Sequence, residues 1–260
     1  MNEVPIHRLY LHFQELPLSL RVLYTGTLFV LSVGYLFAIV HIYNSHAGRD
    51  GDAMLSPQDL VIAYGGSDLA SQLETALKGP MAGMLPAEER AELIAWARSG
   101  ATEESFASQA QPIIENRCLQ CHSGSNPHVP NLSSFSHVSQ VVQLDEGMDF
   151  FSLVRVSHTH LLGITFMFFI VGLIFSHAYV RPVWFKCAVV GLPFLAIAMD
   201  ILCWYMTKLI PGFAWVIMGT GAMMGGCFGL MVLVSVYQMW FYKMPPELVG
   251  RDAASRRAIG

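Results

Sequence analysis

The sequence predicts an all-α protein: a four-helix transmembrane bundle with a small helical domain inserted between the first and second spans. Three observations carry this. The 260 residues are 53% hydrophobic and only 13% charged, too apolar for an ordinary water-soluble domain. Four apolar runs reach the roughly 20 residues that a bilayer crossing needs. A single polar stretch of over a hundred residues separates the first run from the other three.

The first run covers about 22–43, "VLYTGTLFVLSVGYLFAIVHIY". Its leader of about twenty residues and its own length exceed those of a cleaved signal peptide, so it reads as an uncleaved anchor. The second runs from about His158 to Val180, the third from about Trp184 to Thr207 and the fourth from about Phe213 to Tyr242. The divisions expected are a cytoplasmic N-terminus 1–21, span one 22–43, an inserted domain 44–156, spans two to four within 157–242, and a cytoplasmic tail 243–260. Cys187, Cys203 and Cys227 lie in the spans and read as packing residues.

Basic residues orient the spans. Arg8 and Arg21 precede span one, Arg181 and Lys186 lie between spans two and three, and Lys243, Arg251, Arg256 and Arg257 follow span four. The rule predicts both termini in the cytoplasm and residues 44–156 outside, which in a bacterial inner membrane means the periplasm. That domain carries fourteen Asp/Glu against six Lys/Arg, a net of −8. Lys208, in the outer turn before "PGF", runs against the rule. The net charge of −4 gives no reason to expect nucleic acid as a partner.

Within the inserted domain, "SPQDLVIAYGG" opens with Ser56 as N-cap and Pro57 at N1. "PAEERAELIAWARSGA" has acids in its first turn, Leu93, Ile94 and Trp96 on an apolar face, and a stop at Arg98 and Gly100. "SFASQAQPIIENRCLQCH" then reads as a helix leading into a Cys-x-x-Cys-His motif, and "SGSNPHVPNLSSFSHVSQ" as irregular turns. No strand pattern stands out.

Cys118, Cys121 and His122 form the attachment signature of a c-type haem. Two thiols about one helical turn apart reach the two vinyl groups of one porphyrin, and the next histidine binds the iron. A redox dithiol needs no adjacent His and usually sits in a βαβ setting, which the pattern lacks. Zinc calls for a second Cys/His pair; the domain has no further Cys, though His128 and His137 are available.

Residues 106–122 resemble the N-terminal helix and haem-binding turn of a class I cytochrome c. Residues 81–101, "MAGMLPAEERAELIAWARSGA", resemble that family's later part, where a ligand Met precedes an acidic helix ending in an aromatic residue. Here the two halves come in reverse order, like a circularly permuted cytochrome c. "RVSHTHLLGITFMFFIVGLIFSH" is similar to bacterial membrane-bound c-type cytochromes in which Ser-His-x-His opens a span after a haem domain. The three stretches cover about a quarter of the chain.

The resemblance implies one covalent haem c, with His122 as one axial ligand and Met81, fifteen residues before Trp96, as the other. Met84, His128, His137, Met148, His158 and His160 are the competing candidates. In the membrane part, His41, His158, His160 and Asp200 all fall towards the outer leaflet. Three readings apply to them: interfacial and structural groups, a quinol or proton site, or a haem b held by His41 with His158 or His160. His177, near the inner face, reads as interfacial. Gly221, Gly225 and Gly229 repeat every four residues on span four, which suits close helix packing, a homo-oligomer or a larger respiratory complex.

The function expected is single-electron transfer between a membrane donor, quinol or a partner complex, and a periplasmic acceptor. An electron carrier is favoured over a stand-alone oxidoreductase. The alternatives are a self-contained quinol dehydrogenase and a haem-based sensor or assembly subunit.

Overall fold

The computed structural model describes residues 11–127 and 129–243. Among the described residues, four helices are long and apolar enough to cross a membrane: Leu18–His46 (α1), Phe150–Phe175, Val183–Thr207 and Phe213–Trp240, here spans one to four. Each holds 25 to 29 residues, about 37–44 Å at 1.5 Å per residue, against a hydrocarbon core of about 30 Å. The protein is a multi-pass membrane protein. Trp184, Trp215 and Trp240 stand exposed at span ends, where amphipathic rings prefer the water interface.

Spans one and two begin earlier than the apolar runs suggest. Span two starts at Phe150 because the Asp149 side chain accepts from Ser152 N (3.0 Å), and its polar first turns, with Ser152 and Arg155, disguise it in a hydropathy reading. Leu18–His46 is likewise longer than the apolar run at both ends.

The described chain divides into two compact units. One contains most of span one, His158–Asp200 and the chain from Gly219 onward. Its core includes Phe168, Val171, Phe175, Ile197, Phe228 and Met231. The described leader residues belong to this unit. His12 N-caps a 3₁₀ turn at Phe13–Glu15, and Phe13 and Leu16 are buried. His12 Nδ1 accepts from Gln14 N, so its Nε2 donates to Gln238 Oε1 (3.1 Å). The Gln238 amide also grips both backbone atoms of Tyr179. His177, expected to be interfacial, donates from Nδ1 to the Leu11 carbonyl (2.8 Å). Of the span-four glycines, Gly225 receives Tyr35, whose ring stacks on Phe228 with centroids 4.5 Å apart. Gly221 and Gly229 face open space.

The other unit comprises Ala38–Ser157 and Ile201–Met218. It contains helices Pro57–Gly65 (α2), Gln72–Lys78 (α3) and Ala87–Arg98 (α4). Ser56 and Asp59 form a capping box on α2, with Pro57 in the first turn. In α4, Glu88 and Glu89 open and Arg98 closes the helix, each sign facing the favourable end of the dipole. The all-helical expectation needs one correction. Ser67–Ser71 (β1) pairs antiparallel with Leu144–Asp145 (β2). A register irregularity leaves two Cα pairs, Ser67 with Asp145 and Ser71 with Leu144, too short a pairing to show alternation. Gly66 and Gly147, both at positive φ, let the backbones meet there.

Residues 103–122 form one helical run with two π-type segments, Phe106–Ala110 and Ile114–Cys118. Pro112 lies between them and has no N–H to donate into the ladder. Widening to i→i+5 bonds, Gln111 N to Phe106 O and Leu119 N to Ile114 O, carries the helix past it.

Candidate functional site around Cys118, Cys121 and His122

The 103–122 run reaches Cys118 on its last π-type segment and ends in Leu119–His122, one turn that carries Cys121 and His122. Against it packs an apolar core of Leu93, Trp96, Phe106, Ala110, Ile113, Ile114 and Val138. Trp96 is anchored by its Nε1–H to Ser105 Oγ (2.9 Å) and tilts against Phe106 at 5.8 Å. The α4 helix therefore lies on the helix that delivers the cysteines, and Met81 and Cys118 both flank this core.

Cys118 is half-buried and Cys121 exposed, both as free thiols. Burial pushes the Cys118 thiol up, and the Glu89 charge adds to this. A redox dithiol needs the opposite, a thiolate stabilised at low pKa.

His122 Nδ1 lies 2.7 Å from the Pro130 carbonyl oxygen. A carbonyl only accepts, so Nδ1 carries the proton and the Nε2 lone pair is left for a metal. Leu132 N closes the loop onto the His122 carbonyl (2.8 Å). Gly124, at φ +88, packs against Asn131 inside this turn. The ring is thus fixed by its own loop, a signal hidden in the prolines of "NPHVPNL".

The other candidates differ in placement. Met81 is half-buried and Met84 is 69% exposed. His137 has both ring nitrogens engaged, Nδ1 with Ser134 Oγ (2.8 Å) and Nε2 with Asn131 Nδ2 (3.4 Å). Met148 is half-buried and its amide donates to Ala63 O. His41, His158 and His160 are exposed. Asp200 is buried and accepts from Thr220 Oγ1 at 2.7 Å. His128 lies outside the described residues. Among the described residues, no three His, Cys, Asp or Glu side chains gather as a metal-ion site.

Three sets of charged contacts in this unit escaped the sequence reading. Arg117 forks onto Glu89 with two 2.8 Å bonds. Arg90 Nη1 donates to Ala82 O at 2.5 Å. Glu74, almost fully buried, accepts from Arg98 Nε (3.1 Å) and Nη2 (2.6 Å) and pairs with Lys78. Only the Glu74–Lys78 pair had a sequence signal, its i,i+4 spacing.

A protein family described as a transmembrane helical domain matches residues 139–246, less than half of the chain. The match begins within the short helix Phe135–Val141, takes in β2 and covers spans two to four. No curated protein and no solved structure matches the chain.

Proposed function

We propose that the protein is a membrane-bound c-type cytochrome that passes single electrons between a membrane donor and an acceptor outside the membrane. One observation carries the reading. Beside a Cys-x-x-Cys pair, His122 is held by Pro130 in the tautomer that offers Nε2 to iron. The residues fit the group: two thiols within one helical turn, one oriented imidazole, and a half-buried thioether at Met81 on the same apolar core. Haem, once bound through the thiols, supplies an iron that cycles between ferric and ferrous states. His122 would hold the iron, with Met81 as the candidate second ligand, and the apolar core that Met81 and Cys118 flank would border the group. A Met ligand raises the potential relative to a second His.

The test is an absorption spectrum and a redox titration of the purified protein, with haem counted per chain. One covalent haem with a single-electron midpoint is expected. Absence of covalent haem after expression with a c-type maturation system would sink the reading.

A second reading adds quinol oxidation within the same chain. Its support is Asp200, a carboxylate buried within a membrane-spanning helix, where ionisable groups are costly and usually functional. If it serves as proton acceptor, quinol should reduce the haem of the isolated chain, and Asp200→Asn should slow that reduction while leaving the midpoint potential unchanged.

A further inference from the structure

We propose that Glu89 and Arg90, consecutive residues of α4, are positioning residues. They lock the turn bearing Met81 and the helix bearing Cys118 onto one element, and so keep the Met81 thioether on the iron. The proposal rests on the haem reading above and deepens it.

Arg90 reaches back eight residues to the carbonyl of Ala82, the residue directly after Met81. Met81 N donates to Ala76 O (2.8 Å), Ala82 N to Gly79 O (2.9 Å), and Met84 N to Met81 O (3.0 Å). The turn is therefore tied to the end of α3 by its own backbone and to α4 by Arg90. The neighbouring Glu89 holds Arg117, the residue before Cys118, through two parallel bonds of 2.8 Å. Such forks fix orientation as well as distance.

An exposed ion pair of this kind adds little to global stability. Its consequence is geometric. A neutral thioether is a weak ligand for iron, so its occupancy depends on how much ordering is complete before the bond forms. Pinning the Met81 turn completes that ordering in advance. Without Arg90 the turn retains only backbone bonds on one side, and an outside ligand competes better.

The experiment uses the full-length, haem-loaded ferric protein titrated with imidazole. Loss of the near-infrared thioether–iron band and the Soret shift report displacement. Arg90→Gln is expected to bind imidazole about tenfold more tightly than the parent, the effect of losing one charge-assisted hydrogen bond, and to have a lower midpoint potential. Arg90→Lys should lie between the two, and Glu89→Gln should shift affinity in the same direction by less. In a Met81→Ala background, Arg90→Gln should add nothing, because the two act as a unit.

Unchanged imidazole affinity in Arg90→Gln, or an equal shift with and without Met81, overturns the positioning role and leaves the cytochrome reading intact. A covalent haem with no thioether band in the parent also overturns it. A chain that attaches no haem overturns both.

Discussion

Lys208 Nζ donates to the carbonyl oxygen of Tyr64 at 2.7 Å. The same ammonium reaches the carbonyls of Met148 (2.8 Å) and Glu146 (3.3 Å). A lysine in the turn between spans three and four, which offends the charge bias of the loops, is thus committed to three backbone acceptors. Bonds to a charged donor contribute about 1.5–3 kcal/mol, discounted here because Lys208 is itself exposed. Lys208→Met should lose about 1–2 kcal/mol, seen as faster limited proteolysis near 64–66 and 146–148. Proteolysis as slow as in the parent would show that the three bonds are replaceable by water.

The two glycines beside that lysine make a sharper test. A Cβ on Gly147 would sit 2.6 Å from Gly66 N, and one on Gly66 would sit 2.7 Å from Gly147 N. Both have positive φ, +71 and +92, which L side chains rarely adopt. The close atoms are backbone, so no side chain can swing aside. Gly66→Ala or Gly147→Ala should each destabilise the β1–β2 pairing by about 2 kcal/mol or more. Hydrogen exchange at Gln72 N, which donates to Gln143 O (3.1 Å), would report it. Gly83→Ala, with open space around the added methyl, is the silent control.

The helices were legible where local chemistry announces them. Ser56 and Pro57 mark the start of α2, and Arg98 and Gly100 mark the end of α4, both near the positions expected. The motif residues Cys118, Cys121 and His122 were legible because they are contiguous. Long-range backbone contacts were not. The Pro130 carbonyl, the Ala82 carbonyl and the Lys208 acceptors carry no residue-type signature, because any residue has a carbonyl. Asp200 stood out as a lone carboxylate in an apolar run, yet its partner Thr220 lies on the next span at no fixed spacing. The two π-type segments follow from Pro112, but sequence alone allows a kink there as readily as a widened turn.

Glu74 should set an acid limit on the stability of the unit that contains α3 and α4. The bonds from Arg98, then the charge and bond from Lys78, hold its carboxyl below the usual carboxylate range, while burial opposes them. A group with a depressed folded pKa contributes stability that is present above its unfolded pKa and is lost as pH falls towards the folded value. Stability should therefore drop below about pH 4.5. Glu74→Gln removes that share of the slope and costs about 1–3 kcal/mol at neutral pH, because Arg98 and Lys78 lose their anionic partner. Chemical denaturation at pH 7 and pH 4 checks both. Parent and variant curves that fall in parallel would assign the acid limit to other carboxylates.

The sidedness of the membrane yields the last prediction. Helix geometry alone does not orient a four-span protein; loop charge does. Arg21 before span one, Arg181 and Lys186 between spans two and three, and Lys243 after span four share one side by alternation of the spans. Residues 44–156 carry a net of −8, and Lys208 on their side is engaged by carbonyls. The domain should face the periplasm, where thiols meet the c-type attachment machinery. A phosphatase reporter fused after Gly124 should be active, and one fused after the fourth span inactive. Double Cys118→Ser/Cys121→Ser should keep that reporter pattern while losing haem stain on denaturing gels. An active reporter after the fourth span would place Cys118, Cys121 and His122 in the cytoplasm, and the cytochrome reading would then lose its route to covalent haem.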